Sequence, residues 1–432
     1  MVIKSLIARW LPQHSFARNI AILTGGTAFA QGLMALSLPI LTRLYSPEDF
    51  NLLAVYMSIV ALITVASCLR LNVAIPLPES NSDAMNLLAL SCAATGVVTI
   101  GLAALIVLMP DTLVGLLQQP ELKPYLWMIP MGVCFASLYN ALQFWASRKK
   151  NFKLVTQTRV TRAVGGAGTQ LGFGVTTPSP FGLLLGHMIY SGMGVGGLAR
   201  AVWRQDRALL SKITLRAMSR NLKTQRRFPL YSVPEALFNY GGGQIPILII
   251  AAIAVGPEAG FLMLAVRALS IPMALVGSSV AQVYLAEAPQ KLRDGTLALF
   301  TRKTIFSLLK SGAPPLLAVG VASPFLFPYI FGDEWGRAGT IVAWMTPSIL
   351  LQFVTSPIST VLHITGRLGT AMTLQAFGFV VRVGAVLAMA QISEGWTVEA
   401  FAVASALFYS AYISLIFNIL KNTFTMPGRA AP

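Results

Sequence analysis

The sequence predicts an all-α polytopic membrane protein, with about 12 transmembrane helices in two six-helix bundles around a central cavity. Three observations predict it. Of 432 residues, 55% are hydrophobic and only 11% charged, with a mean hydropathy of +0.68; a soluble domain carries about twice that charged fraction. Twelve apolar runs have roughly the 20-residue length that spans a bilayer as a helix. Finally, a strongly basic connector from about Arg200 to Phe228 separates two apolar halves, with Asp206 as its only acid. Juxtamembrane Lys and Arg are retained on the cytoplasmic side, so this connector is expected in the cytoplasm.

In order, the expected spans are 20–42, 50–69, 84–109, 125–146, 152–174, 181–203, 231–255, 259–283, 302–322, 338–363, 370–392 and 397–420. The first follows Lys4, Arg9 and Arg18 like a signal peptide, but it is too long for one and is read as a retained helix. The fifth is diluted by Arg159, Arg162 and several Thr. The ninth is interrupted by Pro314 and Pro315, which spanning helices tolerate when neighbours re-satisfy the backbone. The expected organisation is a bundle over 1–203, a basic connector over 204–230 and a second bundle over 231–432.

Alternating the loops tests this count. The inner side would hold Lys4, Arg9, Arg18, Arg70, the RKKNFK cluster (Arg148, Lys149, Lys150, Lys153) and the nine connector cations. Lys291, Arg293, Arg302, Lys303, Lys310, Arg367, Lys421 and Arg429 complete it, making 25 of the 32 Lys and Arg residues. The outer side would hold only Arg43, Lys123 and Arg337. Such asymmetry puts both termini in the cytoplasm. It also accounts for the net charge of +17 without nucleic acid. The halves echo each other: Pro39-Ile40-Leu41 precedes Ser46-Pro47-Glu48, as Pro246-Ile247-Leu248 precedes Gly256-Pro257-Glu258. Chance similarity of two proline-containing stretches is the alternative to a parallel repeat.

Four cations fall inside spans: Arg159, Arg162, Arg267 and Arg382. An arginine at bilayer depth costs roughly 2.5–3.5 kcal/mol on insertion scales, so each needs water, a partner or a substrate. Arg159 can also snorkel to the interface; the other three lie deeper and either line a polar cavity or pair with backbone carbonyls. No acid lies convincingly at mid-depth, with Glu235 the one marginal case. A bound anion such as a diphosphate suits the guanidinium fork. Nothing points to catalysis or to a cofactor. There is no GxxxxGK[ST] for nucleotide. His14, His187 and His363 are scattered, and Cys68, Cys92 and Cys134 sit singly in apolar runs, so no metal site is expected.

The stretch PILTRLYSPEDFNLLAVY (Pro39–Tyr56) resembles the first helix corner of bacterial oligosaccharide flippases of the Wzx type, within the multidrug/oligosaccharidyl-lipid/polysaccharide exporter superfamily. LRLNVAIPLPES (Leu69–Ser80), WASRKKNFK (Trp145–Lys153) and LMLAVRALSIPMALVGSSVAQVYLAEAP (Leu262–Pro289) resemble further parts of it. Asn51 departs from the usual Gly. The resemblance implies a non-enzymatic flippase in the bacterial inner membrane. It would move undecaprenyl-diphosphate-linked oligosaccharide to the periplasmic leaflet by alternating access. It also implies the polymerase and chain-length proteins of the same pathway as partners. On that reading Arg267, Arg162 and Arg382 attract the diphosphate and Arg159 shares their cationic surroundings. Arg70 helps collect the head group, or anchors the interface, and Gln31, Gln170 and Gln375 meet sugar hydroxyls. An ion-coupled multidrug exporter would need membrane carboxylates, and a membrane glycosyltransferase or polysaccharide polymerase a sizeable outer loop; neither is present.

Overall fold

In hydrocarbon every backbone N–H and C=O must be paired within the protein, so long apolar runs fold as helices. The computed structural model describes residues 15–365 and 367–424. Lys4, Arg9, His14 and Arg429, and the side chains of Arg18 and His363, lie outside the described residues. Each expected span corresponds to a helix: α1 (Ser15–Leu44), α2 (Pro47–Ser67), α3 (Asn81–Leu108), α4 (Met128–Arg148), α5 (Phe152–Thr176) and α6 (Pro180–Gly192, resuming as Val195–Gln205). In the second half they are α7 (Val233–Ile253), α8 (Glu258–Arg293), α9 (Leu297–Phe331), α10 (Gly336–Ile358), α11 (Leu368–Ala390) and α12 (Thr397–Phe424). There is no strand among the described residues.

Among the described residues, eight of these helices are long and apolar enough to cross a membrane on length and composition alone; α4 and α5 are not among them. For α5 the cause is visible, since Lys153, Arg159 and Arg162 all lie within it. The ninth helix is not broken by its prolines: Leu297–Phe331 stays helical through Pro314, Pro315, Pro324 and Pro328.

The chain divides into two units. The first comprises residues 1–45, 59–116 and 120–234. In it α1 packs along α5, α5 along α6, and α4 against α3 and α6. The connector belongs to this unit and is not an extended loop. It forms the helices Arg207–Leu210 and Leu215–Thr224, and its Leu209, Leu210, Ile213, Leu222 and Phe228 pack on an apolar cluster that includes Leu71, Leu87, Leu142 and Trp145. Polar bonds fix the docking. Asn86 donates to the Lys212 carbonyl and accepts from the Thr214 N–H, Arg220 pairs with Asp83 at 2.6 Å, and Trp145 donates to Asp206 at 2.9 Å. All nine connector cations stay exposed. Beside them Arg148 donates to the carbonyls of Ile75, Pro76 and Glu79 and to Asn81, tying down the loop before α3.

The second unit comprises 46–58, 117–119 and 235–432, so it includes the first half of α2. Its hub is α10, which packs against α8, α9 and α12. Small residues let the α9 and α10 backbones approach: a Cβ on Gly339 would sit 2.5 Å from the Ser323 carbonyl oxygen. At the α8 start a Cβ on Gly260 would sit 2.5 Å from the Pro47 carbonyl oxygen and 2.7 Å from the Asn51 nitrogen. Asn51 itself donates to Gln119, whose amide donates to the Ala251 carbonyl, so the residue that departs from the Wzx pattern builds a hydrogen-bonded strut.

One ion cluster closes an end of this unit. Arg337, in the first turn of α10, places a bidentate fork on Glu258 at 2.9–3.2 Å and donates to Glu399 at 2.7 Å. Both carboxylates occupy first turns of helices, where the helix dipole favours negative charge. They are well buried, at 12% and 6% side-chain exposure. Removing one partner of a buried pair leaves the other charge uncompensated. Arg337→Ala is therefore expected to destabilise the solubilised protein by on the order of 3 kcal/mol, the low end of the range because Arg337 is partly exposed. A thermal unfolding midpoint equal to wild type would show that the cluster contributes nothing.

Candidate functional site

The intramembrane arginines are held in four different ways. Arg159 on α5 is half-buried and donates to the Thr27 hydroxyl of α1 at 2.6 Å. Arg162, one turn on, faces α4 and α6: its Nε donates to the Tyr190 carbonyl, and its guanidinium lies 3.7 Å from the Tyr139 ring centroid and 4.5 Å from that of Tyr190. Arg267 on α8 is half-buried, with Nη2 2.8 Å from the Met57 sulfur of α2. Arg382 on α11 is 4% exposed; its Nε donates to the Gly378 carbonyl at 2.8 Å and it lies 4.5 Å from the Phe408 ring centroid. Among the described residues, no ion pair uses Arg159, Arg162 or Arg382.

The other expected site residues are dispersed. Gln31 is exposed on α1. Gln170 is buried between α5 and α6, where its amide donates to the Leu183 carbonyl at 3.0 Å and its Cγ fills the space left by Gly186. That amide joins two helices. Gln375 is buried on α11, two turns before Arg382, and its Oε1 accepts no hydrogen bond. Arg70 caps the short helix Leu71–Ala74 in a left-handed conformation (φ 56°), with a buried Nε that lacks a partner.

Arg382 alone among these residues lines a described cavity, of about 380 Å³, inside the second unit. Its polar wall comes from Asn239 and Gln244 on α7, Ser348 and Gln352 on α10, and Ser405 and Tyr409 on α12. Tyr240, Phe401 and Ile247 supply apolar surface. Two atoms of residues that line it, Arg382 Nη2 and Ser405 Oγ, are themselves fully buried without a protein partner. The sequence reading picked out Arg382 but none of these neighbours. Single polar residues on apolar helices carry no periodic signal, and five helices must pack before they meet. Gly242 is equally invisible in sequence, yet a Cβ there would sit 2.5 Å from Arg382 Nη2.

A family model described as polysaccharide biosynthesis protein matches residues 40–340. The chain belongs to that family. It is also 22% identical over 361 residues to the lipopolysaccharide biosynthesis protein WzxC of Escherichia coli (strain K12), covering 81% of this chain and 70% of that protein. The resemblance to Wzx-type proteins therefore stands. Among solved structures, the lipid II flippase MurJ in an inward closed conformation matches with a TM-score of 0.66 at 12% identity, over 93% of this chain and 90% of that one. An inward-facing multidrug resistance MATE family transporter of the MOP superfamily matches with a TM-score of 0.61 at 12% identity, over 93% and 96%. At such identity these likenesses establish the fold. The chain is a multi-pass, all-helical membrane protein with the fold of these transporters.

The Arg162 stack is accessible to a direct test. A desolvated cation–π contact is worth about 2 kcal/mol and an exposed one 0.5–1 kcal/mol. Tyr190→Leu is expected to lower stability by roughly 1–2 kcal/mol in thermal unfolding, whereas Tyr190→Phe, which keeps the ring, stays near wild type. Equal effects of the two substitutions would show that the ring face does not hold the guanidinium.

Proposed function

We propose that this protein is a non-enzymatic flippase of the bacterial inner membrane, with both termini in the cytoplasm. Its substrate on this reading is an undecaprenyl-diphosphate-linked oligosaccharide. It moves the cargo from the cytoplasmic to the periplasmic leaflet by alternating access, in the synthesis of a surface polysaccharide. Membership of the polysaccharide biosynthesis family is the observation that carries the reading. The name of the WzxC relative supports it, as does the fold shared with a lipid II flippase. We assign Arg267, Arg162 and Arg382 to the anionic cargo, with Arg159, Arg70, Gln31, Gln170 and Gln375 as further contacts. The lipid tail remains in the bilayer throughout. Other proteins of the same pathway, a polymerase and a chain-length protein, are the partners this role calls for.

An ion-coupled multidrug exporter shares the fold but needs carboxylates free to exchange ions within the membrane. Glu258 and Glu399 are instead committed to Arg337. Deletion of the gene is expected to make lipid-linked oligosaccharide accumulate on the cytoplasmic leaflet. Wild type restores transport, and Arg267→Ala at equal protein level restores it poorly. Units that reach the periplasm but stay unpolymerised would instead identify a polymerase. Full rescue by Arg267→Ala would keep the function and move the site.

A further inference from the structure

We propose that the folded connector is a docking site for anionic phospholipid. It binds phosphodiester head groups on the face of the helix Leu215–Thr224 that carries Arg216, Arg220 and Lys223. The inference rests on the cytoplasmic placement of the connector for the leaflet concerned, while the site itself lies entirely within the first unit.

The connector's charge is not spent inside the protein. Among the described residues, Arg220 is the one connector cation in an ion pair, with Asp83 at 2.6 Å. Asp206, the only acid in the connector, is taken by Lys149 at 2.7 Å and by the Trp145 indole. Every Asp and Glu of the chain lies among the described residues, so no further acid is held in reserve. Solvent ions or anionic lipid must balance the other cations, and their position favours lipid. The connector packs on the first turns of α3, through Asp83 and Asn86, and on the last turns of α4, through Trp145 and Lys149. Spanning helices leave the hydrocarbon at such ends, where an anionic leaflet attracts Lys and Arg.

Four large apolar side chains are exposed on the same segment and its flanks: Leu215 at 84%, Tyr231 at 63%, and Trp203 and Leu230 at 62%. At the boundary of head groups and acyl chains each finds an apolar phase, and Trp and Tyr are enriched at that depth. A free anion would account for the cations and leave these four unexplained.

The cationic face is also held in place. Arg216, Arg220 and Lys223 are four and three residues apart, so they share one side of the helix over roughly 10 Å. Ser219 and Thr224 place hydroxyls beside them, and all five line an open groove of about 710 Å³. Guanidinium forks match phosphate oxygens in two-point contacts. The opposite face is pinned: Asn221 donates to Asp83, the Thr214 hydroxyl accepts from the Ala217 N–H, and Leu222 packs on the apolar cluster. The cations are therefore arranged before lipid arrives, unlike those of a disordered basic tail.

The test titrates the full-length protein in neutral detergent with dioleoyl phosphatidylglycerol or dioleoyl phosphatidylcholine, and counts bound lipid by native mass spectrometry. Phosphatidylglycerol is expected to bind at least tenfold more tightly. Arg216→Gln combined with Lys223→Gln leaves the Arg220–Asp83 pair in place. It is expected to remove most of that preference at an unchanged unfolding midpoint. Lys150→Gln combined with Lys153→Gln removes the same charge between α4 and α5 and is expected to keep the preference. Equal loss in the two double variants would show that net charge alone matters, and would overturn the site. Equal binding of the two lipids would do the same. So would displacement of phosphatidylglycerol by equimolar inorganic phosphate, which marks a free-anion site, or by equimolar polyglutamate, which marks an acidic protein partner. None of these failures touches the flippase reading, because the leaflet assay follows the cargo and not the head groups around it.

Discussion

A guanidinium inside hydrocarbon must be compensated by its surroundings, and the packing of the arginine-bearing helices follows from that requirement. The insertion cost is at least roughly 2.5–3.5 kcal/mol per residue. A hydrogen bond to a charged group returns about 1.5–3 kcal/mol, and a desolvated cation–π contact about 2 kcal/mol. Arg162 has a carbonyl and two tyrosine rings, which together approximately offset its cost. It therefore also fastens α5 to α4 and α6. Arg382 has a carbonyl, the Tyr409 hydroxyl and one phenylalanine ring, and its Nη2 is buried without a partner.

At the Arg337 end of the second unit, charge is compensated in another way. Three helix first turns converge, two bringing carboxylates and one bringing the arginine that pairs with both. The acids sit where the helix dipole favours them, so fork and dipoles act in the same sense. This also removes Glu258 and Glu399 from any coupling role that requires a free carboxylate.

The helices were legible because the bilayer imposes a length and a composition on each of them. All twelve ranges could be read from apolar runs, and the Pro-Glu corners before α2 and α8 mark two of the starts. The folded connector was not legible. Its apolar residues, Leu209, Leu210, Ile213, Leu222 and Phe228, are interleaved with cations, so the charge dominates the pattern although those side chains do the docking. Nor could sequence reveal that the first half of α2 belongs with the second unit, or that Arg337 meets partners 79 and 62 residues away. Those pairings are consequences of tertiary packing and leave no local trace.

The same limit explains why charge alone gave an incomplete picture of the site. Within a span, sequence marks an arginine as expensive but is silent on what stands beside it. Arg162 and Arg382 were equivalent on that evidence. Their surroundings separate them: tyrosines and a carbonyl enclose the first, while amides, hydroxyls and an unfilled volume meet the second.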